Sequence, residues 1–118
     1  MQKSILTFSI IALLISGIIV PPVYAANVAQ SLCEYVAADD KKRMRSFLKT
    51  NKLKIRSIFG DIKCNGMNLL AFAVKRGSVK TGSMMISKLP KKIVTANLGV
   101  FEAGSKLEAA ANKRVGKW

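Results

Sequence analysis

The chain has 118 residues, with 20 lysines and arginines against 6 aspartates and glutamates, no histidine, and a formal net charge of +14 at pH 7. That length allows one small domain with a modest core. The lack of histidine removes the usual general base, nucleophile activator and metal ligand, and the charge favours anionic partners without dictating a fold.

The first segment reads as an export signal. Lys3 supplies a basic tip, Ile5 to Val20 are almost wholly apolar, and Val23-Tyr24-Ala25 ends the stretch with small residues before an expected cut between Ala25 and Ala26. This is the pattern of a secretory signal peptide. The rival reading is a membrane anchor. However, the apolar run is 16 residues, short of the ~20 a spanning helix needs. Pro21 and Pro22 would also break a helix where an anchor continues. The residue directly after the cut is Ala26 and not cysteine, so a bacterial lipid anchor has no attachment point. The expected organisation is therefore a signal peptide over 1–25, a helical domain over 26–90 and a basic tail over 91–118. The expected location is the bacterial periplasm. Cleavage would leave 93 of the 118 residues and, with Lys3 gone, lower the charge from +14 to +13.

The two cysteines, Cys33 and Cys64, both lie beyond the cut. In an oxidising compartment an even pair reads first as a disulfide. Closing that loop would contribute about 3–4 kcal/mol in the chain-entropy model. A reactive thiol pair or metal ligation are the alternatives, without a Cys-x-x-Cys spacing or a histidine to support them.

Beyond the leader, the sequence repeats. Leu32 matches Leu70, Val36 matches Val74, Phe47 matches Met85 and Leu48 matches Ile86, all at an offset of 38. Such a period marks stacked structural units. Each half reads as two helices joined by a tight turn. In the first half, Val28, Leu32 and Val36 line one helical face. Asp39 and Asp40 sit where a second helix would start, positions suited to short acceptors. Met44, Phe47 and Leu48 give that helix an apolar side. Lys41, Lys42, Arg43, Arg45 and Lys49 occupy most of the remainder.

The segment over 53–63 alternates at Leu53-Lys54-Ile55-Arg56, and Gly60-Asp61 is suited to a turn. A short hairpin and a partial helix both fit, and the β-branched content tips the reading toward extended structure. Cys64 would bring this linker back against the helix carrying Cys33. In the second half Asn68 caps a helix over Leu69–Arg76, and Gly77 stops it. Val79–Leu89 forms the next helix, ended by Pro90. Gly82 inside it costs up to ~1 kcal/mol against alanine and reads either as a close helix–helix contact or as an imperfection. In the tail, Ile93-Val94 and Leu98-Gly99-Val100-Phe101 offer packing groups. Ser105 and Glu108 form a capping box for a helix over 106–115. Lys113, Arg114 and Lys117 sit at that helix's negative end. Trp118 is the single tryptophan, and the tail is expected to dock in part and to fray at its end.

The run Asn65-Gly66-Met67-Asn68-Leu69-Leu70-Ala71-Phe72-Ala73-Val74-Lys75-Arg76-Gly77-Ser78 resembles an ankyrin repeat. Gly66, Leu70, Ala73 and Gly77 fall in the family's places, and Met85-Ile86 falls where the family has a leucine pair. Asn68, Leu69 and Ala71 replace the Thr, Pro and His of its hydrogen-bonded corner, and the period is 38 rather than ~33. The resemblance implies a mainly α fold: two degenerate ankyrin-like helix-turn-helix units joined by an irregular or short hairpin linker, plus a C-terminal helix. The chain also resembles short secreted bacterial proteins of a family of unknown function, through Cys33, Cys64-Asn65-Gly66 and Phe72-Ala73. That likeness implies a fold and a compartment but no activity.

No catalytic constellation emerges, and no catalytic, cofactor-binding or metal-binding residue is assigned. Asp39-Asp40 is the one tight acidic pair and reads as a helix cap rather than paired carboxylates. No Gly-x-x-x-x-Gly-Lys phosphate loop occurs. The expectation is a non-enzymatic protein without a cofactor. The most suggestive local feature is the cluster Lys41, Lys42, Arg43 and Arg45, which with Lys49 and Lys52 would form a cationic patch for an anionic partner. A solvated face serving only solubility is the plainer alternative. Two functional readings stand. One is a macromolecule-binding module, with its inner helices and the linker tip supplying the contact surface. The other is an envelope-associated cationic protein that holds anionic lipid, lipopolysaccharide or glycan by charge, with peripheral membrane contact. The export signal argues against nucleic acid, as does the lack of an aromatic-interleaved basic motif.

Overall fold

The computed structural model describes residues 22–116. The apolar run Ile5–Val20, the basic tip at Lys3, and Lys117 and Trp118 lie outside the described residues. Helix α1 (Pro22–Ala37) passes through the expected cut at Ala25 and Ala26. Pro22, expected to break a helix, opens this one, at the position where a missing N–H is harmless. It is followed by α2 (Lys41–Thr50), a short α3 (Ile55–Ile58) running into a 3-10 turn at Phe59–Asp61, α4 (Leu69–Arg76) and α5 (Val79–Lys88). The chain ends with α6 (Lys91–Ala96), a 3-10 turn at Leu98–Val100 and α7 (Lys106–Val115). Among the described residues there is no strand, and no helix is long and apolar enough to cross a membrane.

The offset of 38 in the sequence is an offset in structure. The turn out of α1 uses Asp39 at φ 53°, and the turn out of α4 uses Gly77 at φ 69°. Each is followed by the residue that starts the second helix, Asp40 before α2 and Ser78 before α5. Leu32 and Leu70 are both fully buried at matching positions. Below them Val28, Val36, Met44, Leu69, Phe72, Ala73, Met85 and Ile86 join a single core. Tyr35 meets Phe47 edge-on at 5.6 Å between ring centres, fastening α1 to α2.

The two pairs are joined by an exchange of caps. Asp40 behaves as expected, its carboxylate accepting the Arg43 N–H at 3.0 Å. Asp39 does not serve its own helix. Its carboxylate reaches across to α5 and accepts the N–H of Thr81 at 2.8 Å, the N–H of Lys80 at 3.2 Å and the Thr81 hydroxyl at 3.1 Å. Those are the donors that a residue at position 78 would normally satisfy. Ser78 instead turns away and donates its hydroxyl to the Val36 carbonyl near the end of α1. Both Ser78 and Thr81 are almost wholly buried, so each of these polar groups needs its partner.

The linker departs from the extended reading. Residues 55–61 are helical, because Ile55, Phe59 and Ile62 then point one way into the core. Apolar spacing of three and four outweighs β-branched propensity here. The hairpin-like geometry falls one step later. Cys64 and Met67 exchange both backbone hydrogen bonds, at 2.7 and 2.9 Å, around Asn65 at φ 52° and Gly66 at φ 80°. Positive φ at both central residues is the signature of the tight turn that Asn-Gly favours. This turn presents Cys64 to Cys33, with the sulfurs bonded at 2.05 Å.

The tail is docked over its described length. Leu107 and Ala111 of α7 are buried with Val94 and Phe101 in the same core. Gly82 is the contact point: a Cβ there would stand 2.7 Å from Leu107 Cδ2. The glycine therefore marks a close approach. Arg114 does more than favour the end of its own helix. Its guanidinium donates to the Leu89 carbonyl at 3.1 Å and so caps α5. The capping box at Ser105 is shifted by one residue. Ser105 accepts the Glu108 N–H at 3.1 Å, but Glu108 accepts the N–H of Gly104, at 2.8 Å.

Three measurements check this architecture by chemical denaturation. Asp39→Ala loses both the cross-helix cap and the residue's tolerance of left-handed backbone, and should destabilise by about 2–3 kcal/mol. Asp39→Gly should cost less and Asp39→Asn least. Reducing Cys33–Cys64 should lower stability by about 3–4 kcal/mol. Gly82→Ala should yield none of the ~1 kcal/mol helix gain in the wild-type background and should recover it in Leu107→Ala, a coupling of at least ~0.5 kcal/mol.

Candidate functional site

Two concavities lie along α2 and α5, and one of them reaches α3. One, of about 390 Å³, has Leu48, Leu53, Ile55 and Met84 as its apolar lining and Arg45, Lys54, Arg56 and Lys88 around it. A second, of about 640 Å³, continues from it along α2 and α5 and adds Lys41, Lys80, Ser83 and Ser87. The two share Arg45, Met84 and Lys88, and so form one groove.

Helix periodicity builds the rim. Lys41 and Arg45 stand four apart on α2, and Leu48 continues their face. On α5, Lys80, Met84 and Lys88 stand four apart in the same way. Residues so spaced share one side of a helix. The seam between α2 and α5 therefore carries cations from both walls above Leu48 and Met84. The short α3 closes one end with Lys54 and Arg56. Its helical form decides this, since Ile55 turns into the core while Lys54 and Arg56 stay exposed on either side of it.

The six rim cations, Lys41, Arg45, Lys54, Arg56, Lys80 and Lys88, are all exposed. Among the described residues a single ion pair occurs, Arg43 with Asp40 at 3.6 Å, and it lies off the groove. No carboxylate lines either concavity. Grouping like charges without counter-charges works against the compact state. Here they surround a partly apolar floor: Leu48 and Leu53 are half-buried and Met84 is 8% exposed.

The patch read from the sequence divides on this surface. Lys41 and Arg45 line the groove. Lys42, Arg43, Lys49 and Lys52 are exposed but do not line it. At 3.6 residues per turn Lys42 lies about a quarter-turn around α2 from Lys41, Lys49 lies about a quarter-turn from Lys41 but closer to Arg45, and Arg43 lies on the far side. Lys54, Arg56, Lys80 and Lys88 were not part of that patch. Lys54 and Arg56 sit in the segment that reads as a strand. Lys80 and Lys88 are isolated in sequence, and their spacing of eight along α5 was the one signal available. The groove is built on the second helices of the two pairs, α2 and α5, with α3 of the linker at one end.

Among the described residues no cluster of three or more Asp, Glu, Cys or His side chains is placed to hold a metal ion. The serines at 83 and 87 have cations beside them but no carboxylate.

The chain belongs to the family described as "Protein of unknown function (DUF3718)", whose model matches residues 32–96. The matched region runs from Leu32 through the linker and both helix pairs to the end of α6, and so contains the whole groove. No curated protein and no solved structure matches the chain.

Proposed function

We propose that this family member is an exported, non-enzymatic module that binds another macromolecule of the bacterial envelope. The observation that carries the reading is the groove between α2, α3 and α5: an apolar floor inside a rim of uncompensated cations. A concave surface with apolar patches and a charged rim is the anatomy of a binding site for a shaped partner. The module is a degenerate ankyrin-like stack of two helix pairs in the periplasm. The signal peptide accounts for the apolar leader, and the Cys33–Cys64 bond suits an oxidising compartment. Two units are fewer than the ~3 that stacked repeats ordinarily need. The disulfide and the docked α7 offset that shortfall.

A charge-driven association with anionic lipid, lipopolysaccharide or glycan is the second reading. It is favoured by Lys42, Lys49 and Lys52, exposed cations outside the groove. Salt separates the two, because the screening length falls from ~8 Å at physiological ionic strength to ~3 Å at 1 M.

The full chain expressed with its leader should be recovered from the periplasm with Ala26 as its first residue, as N-terminal sequencing will show. Retention of the intact leader in the membrane fraction would contradict export. That recovered protein, immobilised in envelope extract, should hold a defined protein through a 1 M salt wash. Retention of anionic lipid or glycan alone, and only at low salt, would replace the module with the charge-driven binder.

A further inference from the structure

We propose that the groove between α2, α3 and α5 is the seat of a short acidic amphipathic helix from a partner protein. This rests on the binding-module reading and names the occupant of its site.

The chemistry of the walls selects the form of the occupant. Both long walls are α-helices, whose backbone groups are already paired within themselves. Among the described residues there is no strand, hence no free sheet edge to pair with an incoming extended segment. An extended peptide pressed on Leu48, Leu53 and Met84 would leave backbone N–H and C=O groups unpaired against apolar side chains, which is costly. A helix brings its backbone bonds with it and offers only side chains, the helix-in-groove mode of recognition. At 1.5 Å per residue the ten residues of α2 and of α5 run about 15 Å, which matches roughly three turns of a partner helix.

Charge selects its composition. Cations stand on both walls and at the α3 end, with no acid among them. An apolar stripe on the floor flanked by Glu or Asp on both sides answers that arrangement. The 118-residue sequence offers no acidic segment outside the described fold. Its residues 1–21 and 117–118 contain no acid, and a second copy carries the same strong positive charge. A flat bilayer would meet the rim cations but leave the concave floor wet. No large exposed apolar side chain stands beside the groove to enter a membrane, Tyr24 of α1 being the exposed one among the described residues. A polyphosphate or glycan chain answers the rim but has no apolar stripe for Leu48 and Leu53.

The test uses the periplasmic protein and four probes at ~0.15 M salt: a helical peptide of about 14 residues with leucine along one face and glutamate on both flanks, a scrambled peptide of the same composition, polyglutamate, and phosphatidylglycerol vesicles. The amphipathic peptide should bind at least ~10-fold more tightly than its scramble and polyglutamate and shift the amide resonances of α2, α3 and α5. Arg45→Glu with Lys88→Glu should weaken it by about 10-fold or more, while Lys42→Glu with Lys49→Glu, an equal change of charge off the groove, should weaken it far less. Circular dichroism and thermal melts of both double variants establish that the fold is retained. Equal binding of the scrambled peptide, equal weakening by the two variants, or binding to the vesicles without binding to the peptide would each overturn the proposal. An envelope protein captured equally well by the Arg45→Glu, Lys88→Glu variant would overturn this site and leave the binding-module reading standing. Failure to capture any protein, with the peptide results as expected, would instead remove that reading and keep the site's chemistry.

Discussion

Asp39 and Ser78 hold the two helix pairs together by serving each other's helices. Asp39 leaves the turn after α1 and satisfies the first N–H groups of α5, while Ser78, in the residue that starts α5, satisfies a carbonyl of α1. Every helix end has such orphan groups, and a buried end must find partners for them. Here each pair depends on the other for that purpose, so neither corner is complete alone. The exchange sets the distance between α1 and α5 and thereby seats α2 against α5. The seam that becomes the groove is a consequence of it.

Around that exchange the remaining connections close the small domain. The Cys33–Cys64 bond ties α1 to the linker, and the Asn65-Gly66 turn aims Cys64 at its partner. The tail packs Leu107 onto the bare backbone of Gly82 and places Arg114 over the end of α5. The α5 helix is thus served at its start by Asp39, in its middle by α7 and at its end by Arg114. It is held at three points along its length and is also one wall of the groove. A wall held on three sides can carry exposed lysines at 80 and 88 without its position depending on them.

Legibility in the sequence followed the range of the forces involved. Helix boundaries that rest on local chemistry were readable: Asn68 and Gly77 bracket α4, and Ser105 opens α7 at Lys106. The repeat offset was readable too, because it places equal apolar residues at equal depths. The linker allowed both a hairpin and a partial helix, and its preference for extended structure failed, because its alternation of apolar and basic residues satisfies a strand over four residues, while Ile55, Phe59 and Ile62 satisfy a helix over eight. Only the core they enter chooses between them. Asn65-Gly66 carried a clear turn signal that the ankyrin-like reading of the same residues obscured.

The sequence by itself determined the class of object: a short, strongly basic, mainly helical chain with one disulfide pair, a doubled helix-turn-helix unit and no histidine-based chemistry. Those properties depend on composition and on spacing within a turn or two of helix. Which cations share a groove is settled only by tertiary packing. Lys41 and Arg45 are far from Lys80 and Lys88 along the chain and share a groove, while Lys42 and Arg43 are their immediate neighbours and do not. The tertiary structure also decided that Asp39 caps a helix 42 residues away rather than its own. Both results arise from contacts between distant segments, whose geometry is set by core packing and by the satisfaction of buried polar groups, and no local pattern of residues records them.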